Sequence, residues 1–289
     1  MTKKVLITGK DSYIGTSFIK YCKENNYDLI IDEVDTRNDK WKEADFSQYD
    51  VVFHVAGIAH ANAKKSQSDL YYKVNTDLTI EIANHAKKNG VKQFIFMSSI
   101  IIYSSSKLNN GEITKDTIPY SKDPYGDSKI KAENGIMPLS DENFKVVILR
   151  PPMIYGKGSK GNYPKLSKAA QVLPVFPNFN NKRSMLHIDN LSEFIKLLIE
   201  FEKKGLFFPQ NENYIKTSDM VKMIGEVHGK KIVLTKMFNT FILISLKIVL
   251  VKKIFGNLFY VKSLSNYDWA NYQVRNFRET IVLTELELR

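Results

Sequence analysis

Val5-Leu6-Ile7-Thr8-Gly9-Lys10-Asp11-Ser12-Tyr13-Ile14-Gly15 is the stretch that decides the fold. Val5 to Thr8 reads as a short apolar strand, a glycine turn follows at once, and the residues from Thr16 to Lys23 continue in a helical pattern. Strand, glycine turn and helix together make a phosphate-binding arrangement. Glycine lets the backbone approach a pyrophosphate closely, and the first helical turn offers unpaired N–H groups at the positive end of its dipole. The spacing is Gly-x-x-Gly-x-x-Gly with serine at the middle position, so Gly9, Ser12, Tyr13, Ile14 and Gly15 are the candidate contacts. A plain tight turn is the competing reading of this segment alone.

Working outward, Leu29 to Val34 is a second strand followed closely by Asp35. An acid about 20 residues beyond the glycine turn suits the ribose 2′-hydroxyl of NAD. Arg37 and Lys10 would instead suit a 2′-phosphate, so NAD is the expected cofactor and NADP the alternative. A third strand, Asp50 to Val55, opens into the small-residue segment Ala56-Gly57-Ile58-Ala59, against which a flat ligand can lie. A helical pattern from Leu70 to Lys88, containing Asn75, is stopped by Gly90 before a strand from Gln93 to Met97. Val146 to Leu149 makes a further strand. Strands alternating with helices of this length predict an α/β fold with a doubly wound parallel sheet covered on both faces. Ligands bind such sheets beyond the carboxyl ends of the strands, which is where Ser98 and Ser99 fall.

Tyr125-Gly126-Asp127-Ser128-Lys129 carries the candidate chemistry. A tyrosine and a lysine four apart on a helix project from one face, and a cation near a phenol favours the phenolate. The spacing therefore predicts that Lys129 lowers the pKa of Tyr125 and turns it into an acid/base, with a strand-end serine holding the substrate oxygen.

Composition sets the class. A chain of 289 residues, 43% hydrophobic and 25% charged, is an ordinary globular protein of one large domain or two smaller ones. A single cysteine, Cys22, excludes a disulfide framework and points to a reducing cytoplasm. Met1-Thr2-Lys3-Lys4 leads straight into a strand, with no signal-peptide pattern. The net charge of +11 suits an anionic partner, but the lysines are spread along the chain and no nucleic-acid motif appears. No metal-ligand spacing is expected either.

These motifs, in this order, resemble the extended short-chain dehydrogenase/reductases, in the NAD-dependent epimerase/dehydratase group acting on nucleotide sugars. Thr8-Gly9-x-x-Ser12-x-x-Gly15 resembles its dinucleotide loop, and His54-Val55-Ala56-Gly57 its cofactor-lining turn. The resemblance places Asp45-Phe46 at the family's adenine contact and Asn75 at its buried helix asparagine. Phe96-Met97-Ser98-Ser99-Ile100-Ile101-Ile102-Tyr103 is similar to the segment with the catalytic serine, and counting back from the closing tyrosine selects Ser99. Tyr125-Gly126-x-Ser128-Lys129 followed by Ala132-Glu133 looks like the catalytic signature. Leu149-Arg150-Pro151-Pro152-Met153 is similar to the strand and loop that touch nicotinamide and sugar. Arg183-Ser184-Met185-Leu186-His187 is similar to the segment whose arginine holds the diphosphate, with His187 read as structural.

The resemblance implies a Rossmann domain over 1–149 and a smaller α/β substrate domain over 150–289, with 187–204 returning to the first. It also implies a UDP-sugar substrate, a homodimer through two helices including that of Tyr125, and a role in capsule or surface-polysaccharide precursors. A 4,6-dehydratase of this group has an acidic pair after the catalytic residue, where Ile100-Ile101-Ile102 stands here. A 3,5-epimerase/reductase uses a cysteine near the site, and Cys22 is remote. Two activities survive, a 4-ketoreductase of a UDP-4-keto-6-deoxy-N-acetylhexosamine, favoured for its apolar isoleucine rim, and a UDP-hexose or UDP-N-acetylhexosamine 4-epimerase. A non-catalytic dinucleotide sensor is the reading from another class, disfavoured by the intact Ser99, Tyr125 and Lys129.

The last ninety residues carry less of the resemblance. Phe241 to Val251 is almost continuously apolar and is followed by Lys252 and Lys253. It is too short to span a bilayer. A buried or dimer-forming helix is expected, with membrane-interface contact through 238–255 at the inner face of the cell membrane as the second reading.

Overall fold

The computed structural model describes residues 2–59 and 68–286. The chain forms two units. The first comprises residues 1–106, 118–151 and 191–209, and the second comprises 107–117, 152–190 and 210–289.

The first unit is built on six strands, β1 (Lys3–Thr8), β2 (Leu29–Val34), β3 (Val51–His54), β4 (Gln93–Met97), β5 (Lys145–Leu149) and β6 (Gly205–Phe207). They lie in the order β2-β1-β3-β4-β5-β6, and every pairing is parallel. The chain thus starts in the middle, steps to one edge, then crosses back over its start and walks to the other edge. That reversal puts the ends of β1 and β3 side by side at a switch point, which in such sheets is where ligands bind.

Alternation along each strand divides the core. Leu6, Val52, Phe94, Phe96, Val146 and Ile148 share one buried cluster with Ile82, Ala83 and Ala86 of helix α2 (Leu78–Lys88) and Ala132 and Ile136 of helix α3 (Pro124–Ile136). On the other face, Phe18 of helix α1 (Tyr13–Glu24) meets Phe53 edge to face, centroids 5.7 Å apart. The helix Ile188–Glu200 lies against α1 there, its buried Glu193 accepting hydrogen bonds from Tyr21 (3.1 Å) and Tyr27 (2.8 Å). Two covered faces explain why the strands are continuous apolar runs.

The second unit has its own core, formed by Tyr155, Leu166, Met185, Ile224 and Ile281 among others. Helices Tyr163–Val172, Thr217–Val227 and Phe277–Glu285 surround it, with parallel strand pairs Met153–Tyr155 with Met185–His187 and Val175–Pro177 with Val233–Thr235. His187 is structural, as expected. Burial draws it down to about 4, and its Nδ1 accepts from the Asp189 N–H at 3.3 Å.

One expectation is overturned in this unit. The apolar run is not one buried helix but two short ones, α4 (Asn239–Ser245) and α5 (Val249–Phe255), separated by a turn. Only Ile242 of α4 is buried, because each helix is too short to turn more than one stripe inward.

Candidate active site

The glycine turn forms as read, with a sharper detail. Gly9 has φ +110°, and a Cβ there would lie 2.6 Å from the Ala56 backbone nitrogen at the end of β3. The two strand ends at the switch point therefore close on a residue without a side chain. Gly9→Ala forces both a left-handed backbone and a backbone clash, about 1–3 kcal/mol from the strain alone. We expect it to abolish dinucleotide binding and lower the unfolding temperature, checked by cofactor titration and thermal melts.

Ser12 caps α1 by accepting the Gly15 N–H at 3.1 Å. That cap starts the helix at Tyr13 rather than at the predicted Thr16, because the serine oxygen satisfies a first-turn donor. Tyr13, Ile14 and Gly15 thus form the first turn of α1, where the dipole's positive end favours an anion.

Ala56 and Gly57 follow β3. A Cβ on Gly57 would meet Asn75 Oδ1 at 3.0 Å and Lys129 Nζ at 3.3 Å, so the glycine keeps a cradle open beside the ammonium. Asn75 sits in a wider helical turn, Tyr72–Asp77, of the π type that often marks functional sites. Its side chain is fully used. It accepts from Ile58 N (2.9 Å) and donates to Ile58 O (3.0 Å) and Ser128 Oγ (3.1 Å). Asn75 therefore braces the loop after β3 against α3.

Other expected contacts also have partners within the protein. The Phe46 ring is fully buried against Trp41 and His85, leaving only its backbone available, while Asp45 is exposed and caps Ser47. Asp35 does follow β2, but Arg37 grips it through both carboxylate oxygens, at 2.9 and 2.6 Å, and holds its carboxyl down at about 2. Asp35 and Arg37 therefore form one ion pair just beyond β2.

Helix α3 starts where Asp123 accepts the Tyr125 N–H at 2.9 Å with Pro124 in the first turn, a strong start signal. This aims Tyr125 and Lys129 at the end of β4. Lys129 is buried, donates to the Met97 carbonyl at 2.9 Å and lies 4.6 Å from the Phe96 ring centre. Burial draws its ammonium down to about 8, against the opposing pull of Glu133.

Tyr125 differs from the expectation of a lysine-lowered phenol. Burial raises it to about 12, with the Ser99 hydroxyl hydrogen bond pulling weakly the other way. The cause is that Lys129 points to a carbonyl while the phenol loses water. Ser98 is buried and its hydroxyl donates to Glu133 Oε1, whereas the Ser99 hydroxyl accepts the Ile101 N–H at 3.3 Å and caps the turn Ile100–Tyr103.

Two buried networks support this arrangement, and neither was identified from the sequence. Glu133 is clamped by Arg150 (Nη2 to Oε2 2.5 Å, Nε to Oε1 3.1 Å), and Arg150 Nη1 donates to the Tyr103 hydroxyl at 2.6 Å. Beneath the glycine turn, Thr79 donates to the Asn75 carbonyl (2.8 Å), so His54 Nε2–H donates to Thr79 (2.9 Å) and His54 Nδ1 accepts from Thr8 (2.7 Å). Burial holds His54 neutral, at about 3. A charged residue at the end of an apolar strand, Arg150, was the available signal for the first network.

Pro152, Met153 and Arg183 lie in the second unit. Pro152 is buried, and Met153 pairs with Met185. Arg183 donates to the Gly256 carbonyl at 2.9 Å and shares a cavity of about 140 Å³ with Met153, Leu166, Phe176 and Phe255.

The family profile described as "NAD dependent epimerase/dehydratase family" matches residues 5–207. The chain belongs to that family. It is similar to the UDP-glucose 4-epimerase of Vibrio cholerae, 29% identical over 245 residues, covering 77% of this chain and 75% of that one. It is also similar to the N-acetyl-α-D-glucosaminyl-diphospho-ditrans,octacis-undecaprenol 4-epimerase of Escherichia coli O157:H7, 27% identical over 249 residues, covering 78% and 72%. Among solved structures, RMD from Pseudomonas aeruginosa with NADPH superposes with a TM-score of 0.74 at 15% identity, covering 98% of both chains. UDP-glucuronic acid 4-epimerase from Bacillus cereus with NAD gives 0.69 at 16% identity, covering 98% and 95%. At those identities the superpositions establish the shared fold. The family's cofactor is NAD, and the side-chain-free approach at Gly9 and Gly57 fits a dinucleotide lying across the switch point.

Proposed function

We propose that this protein is a 4-epimerase acting on a sugar carried by a diphosphate, with NAD retained through the cycle. The observation that carries the reading is a buried Lys129 beside the glycine cradle, one helical turn from Tyr125 and bonded to the end of the strand that Ser99 follows. When bound, the oxidised nicotinamide would supply a hydride acceptor and a positive charge. Ser99 holds the C4 oxygen of the sugar, and Tyr125 takes its proton as the C4 hydride departs. After the 4-keto sugar turns its other face, the hydride returns to C4 and Tyr125 gives the proton back, so atoms and charge balance over the cycle. A phenol held near 12 is protonated at neutral pH and ready for this second half. The first half relies on added positive charge to bring it down.

Arg183 is proposed to hold the diphosphate, because a guanidinium fork matches phosphate oxygens. The carrier is a nucleoside or a polyprenol, as in the two relatives named above. The 4-ketoreductase is the second reading, supported by 22% identity over 251 residues to a GDP-6-deoxy-D-mannose reductase of Pseudomonas aeruginosa. Its support from an isoleucine rim is reduced, since Ile100 and Ile102 are buried. A homodimer and a place in surface-polysaccharide precursor synthesis belong to the same proposal.

The deciding experiment is NMR of the purified protein with NAD and a panel of UDP-hexoses and UDP-N-acetylhexosamines. Interconversion of the C4 epimers without net change in NADH is the expected result. Stoichiometric oxidation of NADH by a UDP-4-keto-6-deoxy sugar, with no epimerisation, would replace it with the reductase.

A further inference from the structure

We propose that α4 and α5 form a face that docks on an anionic lipid bilayer. The inference rests on the surface of the second unit and does not depend on the redox reading.

No helix among the described residues is long and apolar enough to cross a membrane. Yet Phe241 and Ile244, one turn apart on α4, are 71% and 72% exposed, and Leu243, Ile248 and Leu250 beside them are more than half exposed. Met237, just before α4, is exposed too. Single exposed apolar residues are ordinary on a protein surface, but a cluster on one short helical hairpin marks an interaction site. α4 is tied down by the buried Ile242 and by Asn239, whose Nδ2 donates to the Asn178 carbonyl at 3.1 Å, so the hairpin presents its other apolar side chains outward.

Charge selects the occupant. From Val227 to Tyr260 the chain carries Lys230, Lys231, Lys236, Lys247, Lys252 and Lys253 and no Asp or Glu. The nearest preceding carboxylates, Asp219 and Glu226, lie beside Lys216 (3.6 Å) and Lys222 (3.8 Å). A second copy of this chain would bring the same lysines face to face and repel. An apolar ridge rimmed by exposed lysines is matched instead by acyl chains beneath negatively charged headgroups, where such elements insert about 5–10 Å. α5 also lends Leu250, Ile254 and Phe255 to the wall of the Arg183 cavity, so the docking face adjoins the proposed diphosphate site within one unit.

The test is co-sedimentation of the full chain with vesicles of phosphatidylcholine alone and with about one-third phosphatidylglycerol. We expect capture by the anionic vesicles and little by the neutral ones. Phe241→Ser with Ile244→Asp should cut partitioning at least about tenfold. Each of Lys236→Ala, Lys247→Ala and Lys252→Ala should cut it by about fivefold at low salt, with the lysine effect fading as salt rises. All these variants should keep the wild-type unfolding temperature, since the altered side chains are exposed. Three results overturn the proposal. One is absence of capture by anionic vesicles. Another is capture that the apolar variant leaves unchanged. The third is a dimer by light scattering that the apolar variant converts to monomer, which would assign the face to a second copy.

Discussion

Tyr125→Phe is expected to lower turnover by about 10²–10⁴-fold while leaving NAD affinity within a factor of about two. The phenol is the acid/base of the proposed step, and the ring itself packs beside Tyr71 at 6.2 Å, so phenylalanine keeps the packing and removes the chemistry. The measurement pairs epimer interconversion by NMR with a fluorescence titration of the cofactor. A fall in turnover with unchanged affinity supports acid/base catalysis by Tyr125. An unchanged rate would sink that role, and loss of both quantities would show that the substitution had disturbed the cradle instead.

The second large effect falls on stability. Glu133 and Arg150 are 2% and 7% exposed, and they pair with each other, with Ser98 and with Tyr103. Glu133→Ala leaves a guanidinium buried without its counter-charge, which costs about 3–5 kcal/mol. For a protein of this size that lowers the unfolding midpoint by roughly 10 °C, measurable by calorimetry. Replacing both partners, Glu133→Leu with Arg150→Met, should recover most of the loss, because two apolar residues leave no orphaned charge. A midpoint unmoved by Glu133→Ala would mean that the pair holds nothing together. Glu133 also acts on the chemistry. It favours the charged form of Lys129, so Glu133→Gln is expected to move the Lys129 titration below about 8 and to shift the pH profile of turnover downward with it.

The alternation of strands and helices, the glycine turn and the Tyr125–Lys129 helix were legible because each depends on short-range spacing. Motif counting favoured Ser99 over Ser98, and the fold commits the Ser98 hydroxyl to Glu133. The sequence leaves the outcome open wherever a side chain has two possible destinations. Phe46 could face a ligand or the core, and Trp41 and His85 make the core the better site. Asn75 could touch a cofactor or a loop, and Ile58 and Ser128 claim every polar atom of its amide. Lys129 could serve Tyr125 or a carbonyl, and Met97 offers the carbonyl.

The sequence by itself determined the doubly wound sheet, the phosphate-binding turn and the family, since periodicity, glycine spacing and motif order are written along the chain. Only the tertiary structure decided the ionic state of the site. Tyr125 is raised and Lys129 lowered because folding takes both from water, and desolvation belongs to the packed environment and not to a four-residue spacing. The same holds for the buried clamp on Glu133. Arg150 directly follows β5 and Glu133 lies on α3, and only the crossover that places α3 over the sheet brings them within hydrogen-bonding distance.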